Sequence, residues 1–232
     1  MAATTNLFQD LFEDPEHAAQ YADGPAQFMP GYFDVHRMTS VLIRERTEQD
    51  AHVLVHGAGG GLELEAFAKK NPQWSFTGVE PARPMLDEAS RRLGPLNERV
   101  ALHHGYIDDA PAGPFDAATS LLTLHFLDAE ARKATIAQIV RRLKPGAPFV
   151  AVHCSFTQIP EARRLWLHRH RECAVAGGAD PVKAEQGRAS IDEKLPVLDP
   201  ETDARLLGEA GLRDVTEFYA AFTWRGWVGY AP

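Results

Sequence analysis

From residue 51 onward the chain alternates two kinds of pattern. Short runs bounded by turn residues, the first of them apolar and β-branched, predict strands at 52–55, 75–79, 100–103, 117–121 and 148–152. Between them, apolar residues recur every three or four positions and predict helices at 62–70, 85–93 and 129–143. The last of these carries Ile136, Ile139, Val140 and Leu143 on one face, and Lys144-Pro145-Gly146 ends it with Gly and Pro past the final turn. Strands separated by helices of this length form βαβ units, so the expected fold is α/β with a parallel, doubly wound sheet. Toward the C-terminus, 199–210 reads as a helix followed by Gly211, and 215–220 and 223–230 alternate as two strands on a tight connection. That hairpin brings the sheet to seven strands and turns its terminal strand antiparallel.

Two segments depart from this rhythm. In residues 1–50, Leu7, Phe8, Leu11 and Phe12 form one helical face, Asp14-Pro15 opens a second short helix through Ala19 and Tyr21, and 32–46 repeats apolar residues at helical spacing. Gly24-Pro25 and Pro30-Gly31 punctuate. The richness in Phe, Tyr and Met admits two readings, a cover over a site or packing onto the sheet. Residues 155–200 predict a helix with a basic face (Arg163, Arg164, Arg169 and Arg171, with His168 and His170), then Ala176-Gly177-Gly178 and a polar helical stretch over 184–191. The expected organisation is a helical N-terminal cap over 1–50 and a domain over 51–232 with a helical insertion near 155–200.

Composition narrows the function classes. With 44% apolar and 24% charged residues in 232, the chain resembles an ordinary soluble globular protein. A net charge of −8 argues against a large nucleic-acid footprint, though a local basic patch remains compatible with it. Cys154 and Cys173 form no CxxC, so neither a disulfide framework nor a zinc site is indicated. No apolar run approaches the roughly 18 residues of a membrane span. Asp10, Glu13 and Asp14 stand where a signal peptide would need a basic start and an apolar core, so the expected location is cytoplasmic.

The chemistry begins at Val53-Leu54-Val55-His56-Gly57-Ala58-Gly59-Gly60-Gly61-Leu62-Glu63-Leu64-Glu65, a strand, a tight glycine turn and a helix. Glycines let a ligand approach the main chain, and the first turn of the helix offers free N–H groups to it. A dinucleotide turn needs G-x-G-x-x-G, and Leu62 occupies the place of its third glycine. Glu80, ending the second strand, stands where a carboxylate accepts both hydroxyls of a ribose.

The stretch from Val53 to Glu80, with Phe115-Asp116-Ala117-Ala118-Thr119-Ser120, Leu143-Lys144-Pro145-Gly146 and the terminal hairpin, resembles the class I S-adenosylmethionine-dependent methyltransferases, over roughly residues 50–155 and 200–231. The resemblance implies a Rossmann-like fold, S-adenosyl-L-methionine as cofactor and a small-molecule acceptor. It also implies cofactor contacts from Gly57, Ala58, Gly59 and Gly61, from Glu80 and Pro81, from Tyr106 and Ile107 beside the adenine, from Leu121 and Leu122, and from Tyr21, with Tyr32 toward the substrate. Many members carry an acid in the first strand where this chain has Val55; either Glu63 or another group holds the cofactor's amino-acid end, or binding is weaker. A finer likeness runs through Met29-Pro30-Gly31-Tyr32, Leu122-Thr123-Leu124-His125-Phe126-Leu127, Ser155-Phe156 and Arg188. These are similar to the carboxy-S-adenosylmethionine synthases of tRNA wobble modification, although the glycine placement differs. That likeness implies a carboxylate-binding role for Arg188.

Methyl transfer is an in-line displacement in which alignment is the main contribution, and a base is needed only where the acceptor must lose a proton. His125, His153 and His36 are the base candidates, each also readable as a packed histidine. Adjacent His103 and His104 face opposite sides of a strand and make no ligand pair. No nucleophile elbow, metal-spaced histidine pair or phosphate loop is present, and no metal is expected. The basic face suits an anionic substrate or tRNA phosphates, or is simply solvated. Trp224 and Trp227 suit core or homodimer packing. A non-catalytic S-adenosylmethionine-binding protein and a nicotinamide enzyme complete the competing classes.

Overall fold

The structure, a computed structural model, describes residues 12–232. The face expected from Leu7, Phe8 and Leu11 lies outside those residues. Seven strands form one sheet: β1 (His52–His56), β2 (Ser75–Glu80), β3 (Val100–His104), β4 (Ala117–Leu121), β5 (Pro148–Cys154), β6 (Arg213–Ala221) and β7 (Trp224–Tyr230), in the order β3-β2-β1-β4-β5-β7-β6. Only β7 runs opposite to the other six strands, pairing antiparallel with β5 and β6. Val53 pairs with Phe76 of β2 on one side and Ala117 of β4 on the other, so the winding reverses beside β1 and opens a crevice at the strands' carboxyl ends.

The α-helices among the described residues are α1 (Pro15–Gln20), α2 (Pro25–Phe28), α3 (Tyr32–Arg44), α4 (Leu62–Lys70), α5 (Arg83–Leu93), α6 (Ala129–Val140), α7 (Pro160–Ala176), α8 (Pro181–Lys194) and α9 (Pro200–Glu209). Their starts are written in the sequence. The side chains of Asp14, Asp128, Asp180 and Asp199 accept backbone N–H bonds at the starts of α1, α6, α8 and α9, and prolines fill early positions of several helices. The predicted strand at 117–121 and helix at 62–70 match β4 and α4 at both ends. Strand β2 runs one residue further, to Glu80, and β5 two further, to Cys154, because β7 pairs with it all the way to Trp224. Helix α6 stops at Val140, and residues 141–143 tighten into turns with Arg142 N bonded to Ile139 O at 2.9 Å.

Alternation along each strand builds two cores. Val53, Val55 and Phe76 face one side with Leu64 and Phe67 of α4 and Val35 and Ile43 of α3; Leu54, Val79 and Phe149 face the other with Ile136 and Ile139 of α6. Trp224 and Trp227, three residues apart on β7, fall on opposite faces. Trp224 stacks on Phe28 at 5.8 Å and donates Nε1–H to its carbonyl at 3.0 Å, while Trp227 lies 5.0 Å from the His153 ring. The basic residues of α7 turn in part toward α8: Arg163 pairs with Asp192 at 3.1 Å, and His170 is buried against the Thr223 hydroxyl at 2.8 Å.

One fully buried ion pair fastens the back of the sheet. The Arg132 guanidinium meets Asp203 of α9 with neither side chain exposed, and it also donates to the carbonyls of Leu127 (2.9 Å) and Pro196 (3.1 Å). His153 Nε2 lies 3.3 Å from the same carboxylate. Burial works against the charged form of Asp203, yet His153 and Arg132 outweigh it and pull its carboxyl down to about 2. Breaking such a pair strands a charge, whereas replacing both partners with apolar groups does not. Asp203→Ala should therefore cost about 3–5 kcal/mol in urea denaturation, and Arg132→Met combined with Asp203→Leu should recover most of that loss.

Candidate functional site

The turn after β1 is shaped by close neighbours. Gly57 has φ +73°, and a Cβ there would sit 2.2 Å from Thr123 Oγ1, inside any permitted contact. Gly61, at φ +79°, starts α4 where a Cβ would come within 3.0 Å of the Ala89 backbone of α5. Strand β2 holds the turn down: Gly57 N and Ala58 N both donate to Val79 O, at 2.9 and 3.0 Å. Glu80 then bridges two turns, its Oε2 accepting from Gly59 N and its Oε1 from Ala82 N, each at 3.0 Å. Burial raises the Glu80 carboxyl above its ordinary range, and the two amide bonds oppose that rise.

Between these parts lies a cavity of about 210 Å³ at the carboxyl edge of β1, β2 and β4. The glycine turn, Glu80 and Pro81 form one wall, Tyr106, Ile107 and Asp108 another, and Leu121, Leu122 and Thr123 a third. Phe12, Tyr21 and Phe126 also line it, and Phe12 stands edge-on to both Tyr21 and Phe126 at 5.8 and 5.7 Å. Leu122 adopts φ +58°, a left-handed conformation costing roughly 1–2 kcal/mol for a side chain of this kind, at the point where β4 meets the cavity. A smaller cavity of about 30 Å³ adjoins it, sharing Tyr21, Gly57, Gly59, Leu121 and Leu122 and adding Tyr32, Ala58 and Glu63.

Glu63 is 6% exposed; its Oε1 accepts from Thr119 Oγ1 at 2.8 Å, and burial pushes its carboxyl up to about 8. Burial likewise raises the phenols of Tyr21 and Tyr32, leaving both hydroxyls protonated at neutral pH. Val55 is fully buried in the core.

The structure thus brings together Gly57, Ala58, Gly59, Glu80, Pro81, Tyr106, Ile107, Leu121, Leu122, Tyr21 and Tyr32 around the two cavities. Gly61 lines neither and serves the packing of α4 on α5. Arg188 lies on α8, paired with Glu185 at 2.8 Å and Asp192 at 3.5 Å, away from both cavities. None of the three candidate histidines lines either cavity. His125 is turned inward, its Nδ1 3.4 Å from Cys154 N, and burial holds its pKa well below the ordinary value. His153 faces Asp203, and His36 is wedged between Tyr32 and Phe67, where burial lowers it to about 4. The insertion over 155–200 contributes no lining residue. The imidazole at the main cavity is instead that of His56, bonded to Ser120 Oγ at 3.0 Å and lowered by burial to about 4. Its place as the last residue of β1 was the available signal. Asp108, Thr123 and Phe126 were missed too, each in a turn after a strand.

Comparisons with known proteins bear on the domain and the fold. Residues 53–146 match a family model described as a methyltransferase domain. The carboxy-S-adenosyl-L-methionine synthase of Staphylococcus epidermidis is 21% identical over 227 residues, covering 97% of this chain and 96% of that protein. The protein of the same name from Chromohalobacter salexigens is 27% identical over 226 residues, covering 94% and 82%. Human N-acetylserotonin methyltransferase, solved with S-adenosylmethionine, shares the fold with a TM-score of 0.65 at 13% identity, covering 99% of this chain and 60% of that one.

Glu63 gives the site a measurable signature. Its folded pKa, about 8, lies above the ordinary carboxyl value of 4.5, so the native state binds more protons than the unfolded state between those limits. Stability therefore falls as pH rises from about 4.5 to about 8 by on the order of a few kcal/mol, and Glu63→Gln should flatten that slope in chemical denaturation followed against pH.

Proposed function

We propose that this chain, which carries a methyltransferase domain over residues 53–146 and belongs to the class I S-adenosylmethionine-dependent methyltransferases, methylates a small-molecule acceptor taken up beneath its N-terminal helices. The observation that carries the reading is Glu80: a carboxylate 8% exposed, on the cavity wall, fixed between two turns by backbone donors. Its oxygens retain lone pairs for the two hydroxyls of a ribose. The residues present fit an adenosine-bearing cofactor. Gly57 and Gly59 bring bare backbone to the walls of both cavities, and Tyr106, Ile107 and Asp108 offer an apolar flank and a carboxylate for the adenine.

The bound cofactor supplies an electrophilic methyl on sulfur. The chain's own residues fix its sugar at Glu80, shield the reacting region from water with Leu121, Leu122, Phe126 and Tyr21, and hold the acceptor in line. His56 is neutral at physiological pH and can take a proton at a ring nitrogen, but its low basicity leaves alignment as the main contribution. Among the described residues no helix is long and apolar enough to cross a membrane. We assign the protein to the cytoplasm, with a net charge of −8 disfavouring nucleic acid as the substrate and a homodimer open to light scattering.

A second reading has one observation in its favour. The relatives named carboxy-S-adenosyl-L-methionine synthase align across nearly the whole chain, well beyond residues 53–146. Against it, Arg188 is engaged by Glu185 and Asp192 rather than turned to a cavity. Mass spectrometry of ligand carried through purification separates the two. The unmodified cofactor or its demethylated product is expected, and an added carboxylate would favour the second reading. In calorimetry, Glu80→Ala should weaken S-adenosylmethionine binding at least about tenfold, and unchanged affinity would remove the ribose assignment.

A further inference from the structure

The smaller cavity contains a carboxyl group without a cation. Glu63 lies in the first turn of α4, where an acid gains from the helix dipole, but acids in that position are ordinarily solvated. Glu65 of the same turn behaves so, pairing with Lys69 at 2.6 Å. Glu63 instead points inward, with Thr119 Oγ1 on one oxygen and the cavity shared with Tyr21 and Tyr32. Among the described residues no cation acts on it: burial and the Thr119 hydroxyl are what move its titration.

The surroundings are complete from every packed element. Tyr21 faces it from the turn after α1 and Tyr32 from α3, both raised by burial and acting as neutral donors and acceptors. Glu80 of β2 adds negative potential at Tyr21, Arg92 of α5 acts on Tyr32, and Thr119 comes from β4. His36 stands behind Tyr32, neutral at physiological pH. A buried carboxyl in such a place stays protonated near neutral pH unless a positive charge arrives beside it. Its geometry suits a donor with several N–H groups, which two phenol oxygens and a carboxylate can share.

We infer that Glu63 is the counter-ion of a primary ammonium, carried on the amino-acid end of the ligand whose ribose lies at Glu80. This rests on the cofactor reading above. Capture of the ammonium converts the neutral carboxyl into a carboxylate, so its proton leaves to solvent and affinity rises with pH on the acid side of neutrality.

The test titrates the full chain by calorimetry with S-adenosylhomocysteine and with 5′-methylthioadenosine, which keeps adenosine and thioether but lacks the amino-acid end. Glu63→Gln, close to isosteric with the neutral acid, should weaken the first ligand by about 10–100-fold and the second by less than about threefold. In wild type at pH 7, heats in buffers of different ionisation enthalpy should reveal proton release with S-adenosylhomocysteine and none with 5′-methylthioadenosine. That measurement decides the matter even if the variant folds poorly. Equal weakening of both ligands, or no proton release, would overturn the inference while leaving the cofactor reading intact. Failure of wild type to bind either ligand would remove both.

Discussion

The carboxylate of Glu80 is the joint on which the site depends. A parallel sheet ends in turns whose N–H groups have no strand partner, and a cavity at that edge keeps its shape only if those turns are fastened. Here the end of β2 fastens two at once. Val79 O takes the N–H groups of Gly57 and Ala58, and Glu80 takes those of Gly59 and Ala82. The glycine turn of β1 and the entry to α5 are thereby fixed to the same residue pair. Thr123, arriving from β4, then forbids any side chain at Gly57. The groups that would hold a nucleoside are the groups that hold the turn.

Buried charge is handled in two ways in this molecule. Arg132 and Asp203 are paired, hydrogen-bonded further to two carbonyls, and remote from the cavity walls except through Leu127, whose carbonyl Arg132 holds. That pair costs little once made and much once broken. Glu63 is buried beside space rather than beside a cation, Glu80 is held on two backbone amides, and burial raises both. Ionised carboxyls left in that condition are unfavourable for the fold alone, and these two are the groups to which the proposal above gives a ligand.

The sheet was legible because its strands are short and alternate with helical periods across turn residues, and because Asp and Pro announce most helix starts. Boundaries moved where tertiary pairing extends a strand, as β7 does for β5 through Cys154. The glycine turn and Glu80 stood out by their positions in the βαβ pattern and Tyr106 by the family resemblance, and all three lie on the cavity wall. The histidines were not. Being near a strand's carboxyl end does not say which way a side chain turns, and His125 and His153 turn into the packed interior behind β5 while His56 turns to the cavity. The two tryptophans of β7 show the same limit, since a spacing of three in a strand reverses the face. Arg188 looked functional in isolation; its acids at Glu185 and Asp192 lie within one helical turn and were readable as partners.

The most direct test of the account is a crystal structure of the full chain grown with S-adenosylhomocysteine. Both ribose hydroxyls are expected on the Glu80 carboxylate, with the amino-acid end in the small cavity beside Glu63, Tyr21 and Tyr32. A ligand bound with its ribose away from Glu80, or seated outside the crevice between β1 and β4, would contradict it.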